Sequence, residues 1–322
     1  MAAPDPTEAR FPAVPVEAGH YESFYIKACR PGERLGIWIR YTVHKRPGAL
    51  PNGSVWVTLF DGAAQGPRAH KTTLPAPSAG GGDWIRVGDA SMRDGAAVGA
   101  IDGADWDLRF ATSEPPLFHL PRAWMYRARL PRTKLLSPAP AARFDGSLVV
   151  DGRTIAVDGW RGMVGHNWGA QHAERWIWLH GLTEEGDWLD AALGRVKLGP
   201  LTTPWVASGA LSLGGERLAL GGPGRKVEVE ETPEHCRFVL SGREVRVRGS
   251  VNAPHQHVVG WVYADPEGPE HNTVNCSIAD MHLEVGRDGS RPRQLTIEGG
   301  VAYELGMRER DHGVPIQPFP DG

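Results

Sequence analysis

The chain has 322 residues, a net charge of −3, and 41% hydrophobic against 23% charged residues, an ordinary globular balance. So mild a charge gives no reason to expect a nucleic-acid or anionic-membrane partner. No run approaches the roughly 18 apolar residues of a membrane span, and Met1–Arg10 lacks the basic and apolar regions of a secretory signal. Peripheral membrane contact and oligomeric state stay open.

Cys29, Cys236 and Cys276 are odd in number and far apart, which points to reduced thiols and a cytoplasmic compartment. The 41 glycines and 27 prolines are spread along the chain as turn punctuation, the signature of many short strands.

Alternation begins early. Ile37, Ile39, Tyr41 and Val43 alternate with Trp38, Arg40, Thr42 and His44, and a loop ending in Asn52-Gly53 predicts a hairpin back through Val55, Val57 and Leu59. The best helix candidate covers Leu130–Leu136. The Pro/Ala-rich Leu135–Arg143 reads as a linker, which puts a domain boundary near 140. A second strand system then starts near Phe144 and includes Thr154–Asp158. Later strands alternate around Val227–Glu230 and Val245–Arg248, and 221–225 is a loop. Helical periodicity is absent over any long window. The chain is therefore expected to be all-β, with two antiparallel barrel or sandwich domains in tandem. Residues 1–140 would form the first domain and 141–322 the second, because long antiparallel sheets must close or stack to hide their edges.

The most informative stretch is GHNWGAQHAERWIWLHG, residues 165–181. As a strand, 174–182 puts Glu174, Trp176, Trp178 and His180 on one face and bland core residues on the other. Trp188–Val196 would pair with it and bring Asp190 opposite that face. Aromatic walls with a few titratable groups suit a pocket for an apolar ligand. Indole faces stabilise a carbocation, and a desolvated carboxylic acid can stay protonated. The glycines of 165–169 allow a tight bulge that would aim His166 and Asn167 into a cavity. The plainer alternative is a strand whose tryptophans simply fill a core.

Further along, His255 and His257 share a face, and with His271 and His282 they could be imagined around zinc. No Cys or carboxylate completes the set at a compelling spacing, so no metal is expected. Glu304 sits on a late strand and would be buried or at an edge. Elbow, P-loop and dinucleotide motifs are missing from the sequence.

Residues 165–181 resemble the Asn-Trp-Gly motif of the tocopherol-cyclase, carotenoid 1,2-hydratase and AttH-like superfamily. Asn167, Trp168 and Gly169 match its core, His166 matches the hydratase version, and Trp176 and Trp178 match the strand that follows. FYIKACRPGERLGIWIRYT, 24–42, is similar to the first strands of such proteins. The resemblance implies two lipocalin-like β-domains with a pocket near their interface. One departure matters: the acid that precedes His-Asn in the hydratase version is Gly165 here.

Together these readings predict a cofactor-independent hydratase or cyclase that protonates an alkene of an apolar isoprenoid- or polyketide-like substrate. Glu174 or Asp190 would be the acid, His166 and Asn167 would position water, and His180 would relay protons. Trp168, Trp176, Trp178, Trp38, Tyr41 and Glu304 would line the ligand site. The alternative is a non-catalytic lipid or small-molecule binder of the same fold.

Overall fold

The computed structural model describes residues 3–199, 201–287 and 289–319. Among them helix is confined to three 3-10 turns, Phe11–Ala13, Ala123–Tyr126 and His255–His257. No helix of the described residues is long and apolar enough to cross a membrane.

Two large antiparallel sheets follow one another. The first has 12 strands and runs from Arg68–Pro75 through Asn52–Asp61, Leu35–Lys45 and His20–Cys29 to Arg153–Gly169 and Thr133–Val150. It then returns through short hairpins to Ser78–Gly80. It curls into a half-barrel. The second has 10 strands, with Trp188–Arg195, Arg175–Leu182, Arg293–Met307 and His271–Arg287 at its centre. A bridge between Leu220 and Gly242 brings the two ends of its path together, so it is a nearly closed barrel.

The strands His20–Cys29 and Leu35–Lys45 are buried along their whole length. A strand's side chains alternate between faces, so both faces of this ribbon must be covered. Phe24, Ile26, Ile37, Ile39 and Tyr41 fill the first core. Trp38, with Trp56 and Phe60 of the next strand, points the other way and joins the core of the second barrel. The first sheet thus serves as a wall for the second.

The expected boundary near 140 falls inside the Thr133–Val150 strand, and the chain passes between sheets at 170–174. Proline misleads here for a physical reason. Pro138 and Pro140 lie at the register shifts between Leu136, Ala139 and Ala142, where bulges free them from donating a ladder bond. The segment 166–169 accordingly ends a first-sheet strand. The helix expected at Leu130–Leu136 is absent: the strand begins at Thr133.

Candidate active site

A cavity of about 560 Å³ lies where the outer face of the first sheet meets the second barrel. Register builds it. Arg40 pairs with Tyr25, and Ser23 pairs with both Thr42 and Asn167, so Tyr25, Arg40, Asn167 and Trp38 emerge on one face. From the second barrel, Trp176 pairs with Gly306 and Trp178 with Glu304. A Cβ on Gly306 would lie 2.1 Å from the Trp176 indole, so only glycine leaves that ring its place. Asp190 pairs with His180 as the hairpin reading expects.

Five of the expected residues line the cavity: Trp38, Asn167, Trp176, Trp178 and Glu304. Glu304 accepts hydrogen bonds from Trp176 Nε1 at 2.9 Å, Tyr263 Oη at 3.1 Å and Asn275 Nδ2 at 3.3 Å. All three partners are donors, which suits a carboxylate rather than a carboxylic acid.

Asp190 is fully buried just behind Trp178. It accepts bonds from Ser137 Oγ at 2.5 Å and Trp178 Nε1 at 3.2 Å, and His119 Nε2 lies 3.6 Å away. Burial alone would raise its pKa, but the His119 charge and bond, with help from His180 and Ser137, hold it below the usual range. It is a fixed anion, not a resting acid. His180 lies deep behind the wall, where its Nε2 donates to the Pro140 carbonyl at 2.9 Å. Burial first, then the Lys27 charge, pushes its pKa down to about 4.

The other expected residues are elsewhere. Glu174 precedes its strand and sits outside the cavity, 3.5 Å from Arg308 Nη2. His166 points to the opposite face of its strand, where Nε2 meets Glu22 at 2.8 Å and Nδ1 the Pro6 carbonyl at 2.9 Å. A strand without the expected bulge alternates strictly, so adjacent His166 and Asn167 cannot both face the cavity. Trp168, on the His166 side, packs with Tyr126 and Leu136. Tyr41 lies in the first core, accepting from Trp106 Nε1 at 2.8 Å. The imagined zinc cluster does not assemble either. His255 is in a 3-10 turn and paired with Glu234 at 2.8 Å, while His282 meets Thr296.

Position 165 is kept bare by packing. Gly165 faces the cavity side, and a Cβ there would lie 2.1 Å from Tyr25 Cζ. The Tyr25 ring occupies the space that a side chain at 165 would need.

Arg40, Tyr25, His119, Tyr263 and His172 also line the cavity and were not singled out from sequence. His172 is the most telling. Its Nδ1 and its backbone N–H both lie 2.7 Å from Asp265 Oδ1. Its ring stacks on Tyr21 at 3.9 Å and on Trp176 at 5.3 Å. Its Nε2 is buried and has no hydrogen-bond partner among the described residues. Burial would raise the Asp265 pKa, but the bonds and charge of His172 bring it below the usual range. His271 stands behind, 3.8 Å from Asp265 Oδ2, its pKa pushed to about 3 by burial and then by the His172 and Arg308 charges. His172, Asp265 and His271 bring one ligand atom each within 4.8 Å of one another and are the group that could hold a metal among the described residues. A cation there would have to displace the proton shared by His172 Nδ1 and Asp265, and would sit near the Arg308 guanidinium, 3.8 Å from Asp265. Asp265 is 93 positions from His172, so no local spacing announces the pair.

No family model matches the chain. Its architecture is the AttH-like, lipocalin-like fold. It superposes on the crystal structure of a Nitrosomonas europaea protein provisionally called AttH with a TM-score of 0.58, 15% identity and coverage of 95% of this chain and 99% of that one. Kievitone hydratase from Nectria haematococca gives a TM-score of 0.56 at 12% identity, over 91% of this chain and 89% of that one. Within that fold, the chain is 30% identical over 305 residues to the uncharacterized protein Rv0493c of Mycobacterium tuberculosis H37Rv and to MT0513 of strain CDC 1551. The match covers 90% of this chain and 87% of theirs. It belongs to the family of these mycobacterial proteins.

Proposed function

We propose that the protein is a cofactor-independent hydratase or cyclase that protonates an alkene of an apolar isoprenoid- or polyketide-like substrate in this cavity. The observation that carries the reading is the His172–Asp265 dyad, whose second ring nitrogen is unpartnered at an aromatic wall. The hydratase among the fold neighbours supports the reaction class.

In this reading protonated His172 gives its Nε2 proton to an alkene carbon. The N–H bond breaks, a C–H bond forms, and Asp265 steadies the imidazolium beforehand. The indoles of Trp176 and Trp178 and the Glu304 carboxylate stabilise the cation. Water or a substrate hydroxyl adds to it, and the proton it sheds returns to Nε2, so the histidine is restored. Asp190, Asn167 and His119 shape and polarise the wall. The cytoplasmic assignment rests on three buried cysteines that form no disulfide.

The test incubates the protein with lipid extract of its host in D2O and seeks products with non-exchangeable, carbon-bound deuterium. A labelled product that depends on the native protein is the expected result. An apolar compound retained unchanged, with no labelled product, would instead establish the binding reading. One observation favours that second reading: the acid position of the hydratase relatives is Gly165, closed off by Tyr25.

A further inference from the structure

Four buried cations of this protein are held in two different ways. Lys27, Lys45 and Lys134 end on backbone carbonyls: Gly300 for the first, Pro15, Val16 and Ala18 for the second, Pro131 for the third. Arg40 does not. It is 5% exposed and lines the cavity. Its hydrogen bonds are two, from Nε at 3.0 Å and Nη2 at 2.8 Å, both to Ser23 Oγ. Its guanidinium lies over the Tyr263 ring at 4.0 Å and near Trp56 at 5.6 Å. Among the described residues no carboxylate lies within ion-pair distance of it.

A buried charge without a counter-ion is costly, and aromatic faces repay only part of the lost hydration. The geometry says which part is left over. Ser23 engages the Nε/Nη2 side of the fork, so the Nη1/Nη2 end stays open. That end presents two parallel N–H groups at the spacing of two carboxylate oxygens. Glu304, the carboxylate on the same cavity, accepts from Trp176, Tyr263 and Asn275 and makes no ion pair with Arg40.

We infer that Arg40 is the recognition group for a carboxylate on the ligand, so that the substrate class is an apolar molecule bearing a carboxylic acid. The inference rests on the cavity being the ligand site. The anion would dock end-on at Arg40 with its apolar body along Trp38 and Trp176. This orientation would present one end of the molecule, and not the other, to His172.

The test uses Nile red as a neutral fluorescent reporter of the cavity, displaced by dodecanoate or by 1-dodecanol, on the native chain and on Arg40→Met and Arg40→Gln. Dodecanoate is expected to bind about tenfold or more tightly than the alcohol, a difference of about 1.4 kcal/mol. Both variants are expected to lose that advantage while binding the alcohol as before. Equal affinities in the native chain, or an advantage that survives in the variants, overturn the role of Arg40. Should the variants fail to hold Nile red, Ser23→Ala takes their place: it keeps the guanidinium but frees its anchor, and is expected to cut the advantage severalfold. An undiminished advantage in that variant overturns the end-on geometry. A native chain that binds neither Nile red nor either ligand is a distinct failure, since it removes the ligand cavity and the proposed function with it.

Discussion

Two histidine–carboxylate pairs flank the same short motif, and they differ in one respect. His166 bonds Glu22 through Nε2 and the Pro6 carbonyl through Nδ1, so both ring nitrogens are used. His172 bonds Asp265 through Nδ1, and its buried Nε2 has no hydrogen-bond partner among the described residues. The first pair is closed and ties the N-terminal segment to the sheet: Glu22 also accepts from the backbone N–H groups of Arg10 and Phe11. The second leaves one ring nitrogen over, the atom on which the proposed proton transfer rests. Chemistry alone does not separate a fastener from a reactive group; the destination of the second nitrogen does.

The largest expected effect breaks the open pair. His172→Gln should lower formation of the deuterium-labelled product by about 10²- to 10⁴-fold, the span of a lost general acid–base group. Asp265→Asn should lower it less and shift its pH profile, because the ring stays but its orienting anion is gone. His166→Gln should leave turnover per folded molecule nearly unchanged. Equal losses in His166→Gln and His172→Gln would erase the distinction between the pairs.

Next comes stability, where the order of importance reverses. Glu22→Ala strands the His166 ring and the backbone N–H groups of Arg10 and Phe11, and should cost about 3 kcal/mol by denaturant or thermal unfolding. Asp265→Ala should cost less, since its surroundings are already incompletely bonded. The closed pair also sets an acid limit. Burial would raise the Glu22 pKa, but its bonds to His166 and His20 and their charges bring it down to about 2. Below its unfolded value near 4.5, the unfolded chain takes up a proton that the folded chain refuses. Its contribution is therefore present above pH 4.5 and is lost as pH falls toward 2. His180 acts in a higher window. With a folded pKa near 4 against 6.5 unfolded, it stays neutral while the unfolded chain protonates, so stability should fall between pH 6.5 and 4. His180→Gln should flatten that part of an unfolding curve measured against pH while leaving the Glu22 part intact.

The contrast also shows what could be read from residues in order. Strand alternation carried the all-β architecture, the Trp176/Trp178 face and the partnership of that strand with Asp190. Glu304 could be placed on a late strand, but only the register of two neighbouring strands in the second sheet brings it to the Trp176 indole. Arg40 entered only as one member of an alternating strand, because a sequence does not show that both faces of a sheet are covered. His172 was passed over because its partner lies on a loop of the other sheet. His166 was favoured by its place in the motif, and strict alternation then turned it away from Asn167.

The smallest effect addresses why position 165 carries no side chain. Gly165 could be a lost catalytic position or a packing requirement, and the two differ in what a methyl group does there. A Cβ at 165 would meet Tyr25 at Cζ, Oη and Cε2, 2.1–2.5 Å away. Gly165→Ala should therefore cost about 1–3 kcal/mol, the usual range for overpacking. Tyr25→Ala alone should open a cavity beside Trp178, with which Tyr25 makes an edge-on contact at 5.2 Å. If the ring and the glycine are a matched pair, the double variant should cost less than the sum of the two, a coupling that an unfolding cycle resolves. If the costs simply add, Tyr25 is not what keeps position 165 bare. If they are coupled, Gly165→Asp in the Tyr25→Ala background has room for its side chain, and more labelled product than Tyr25→Ala alone would show that an acid at 165 can serve as a proton donor.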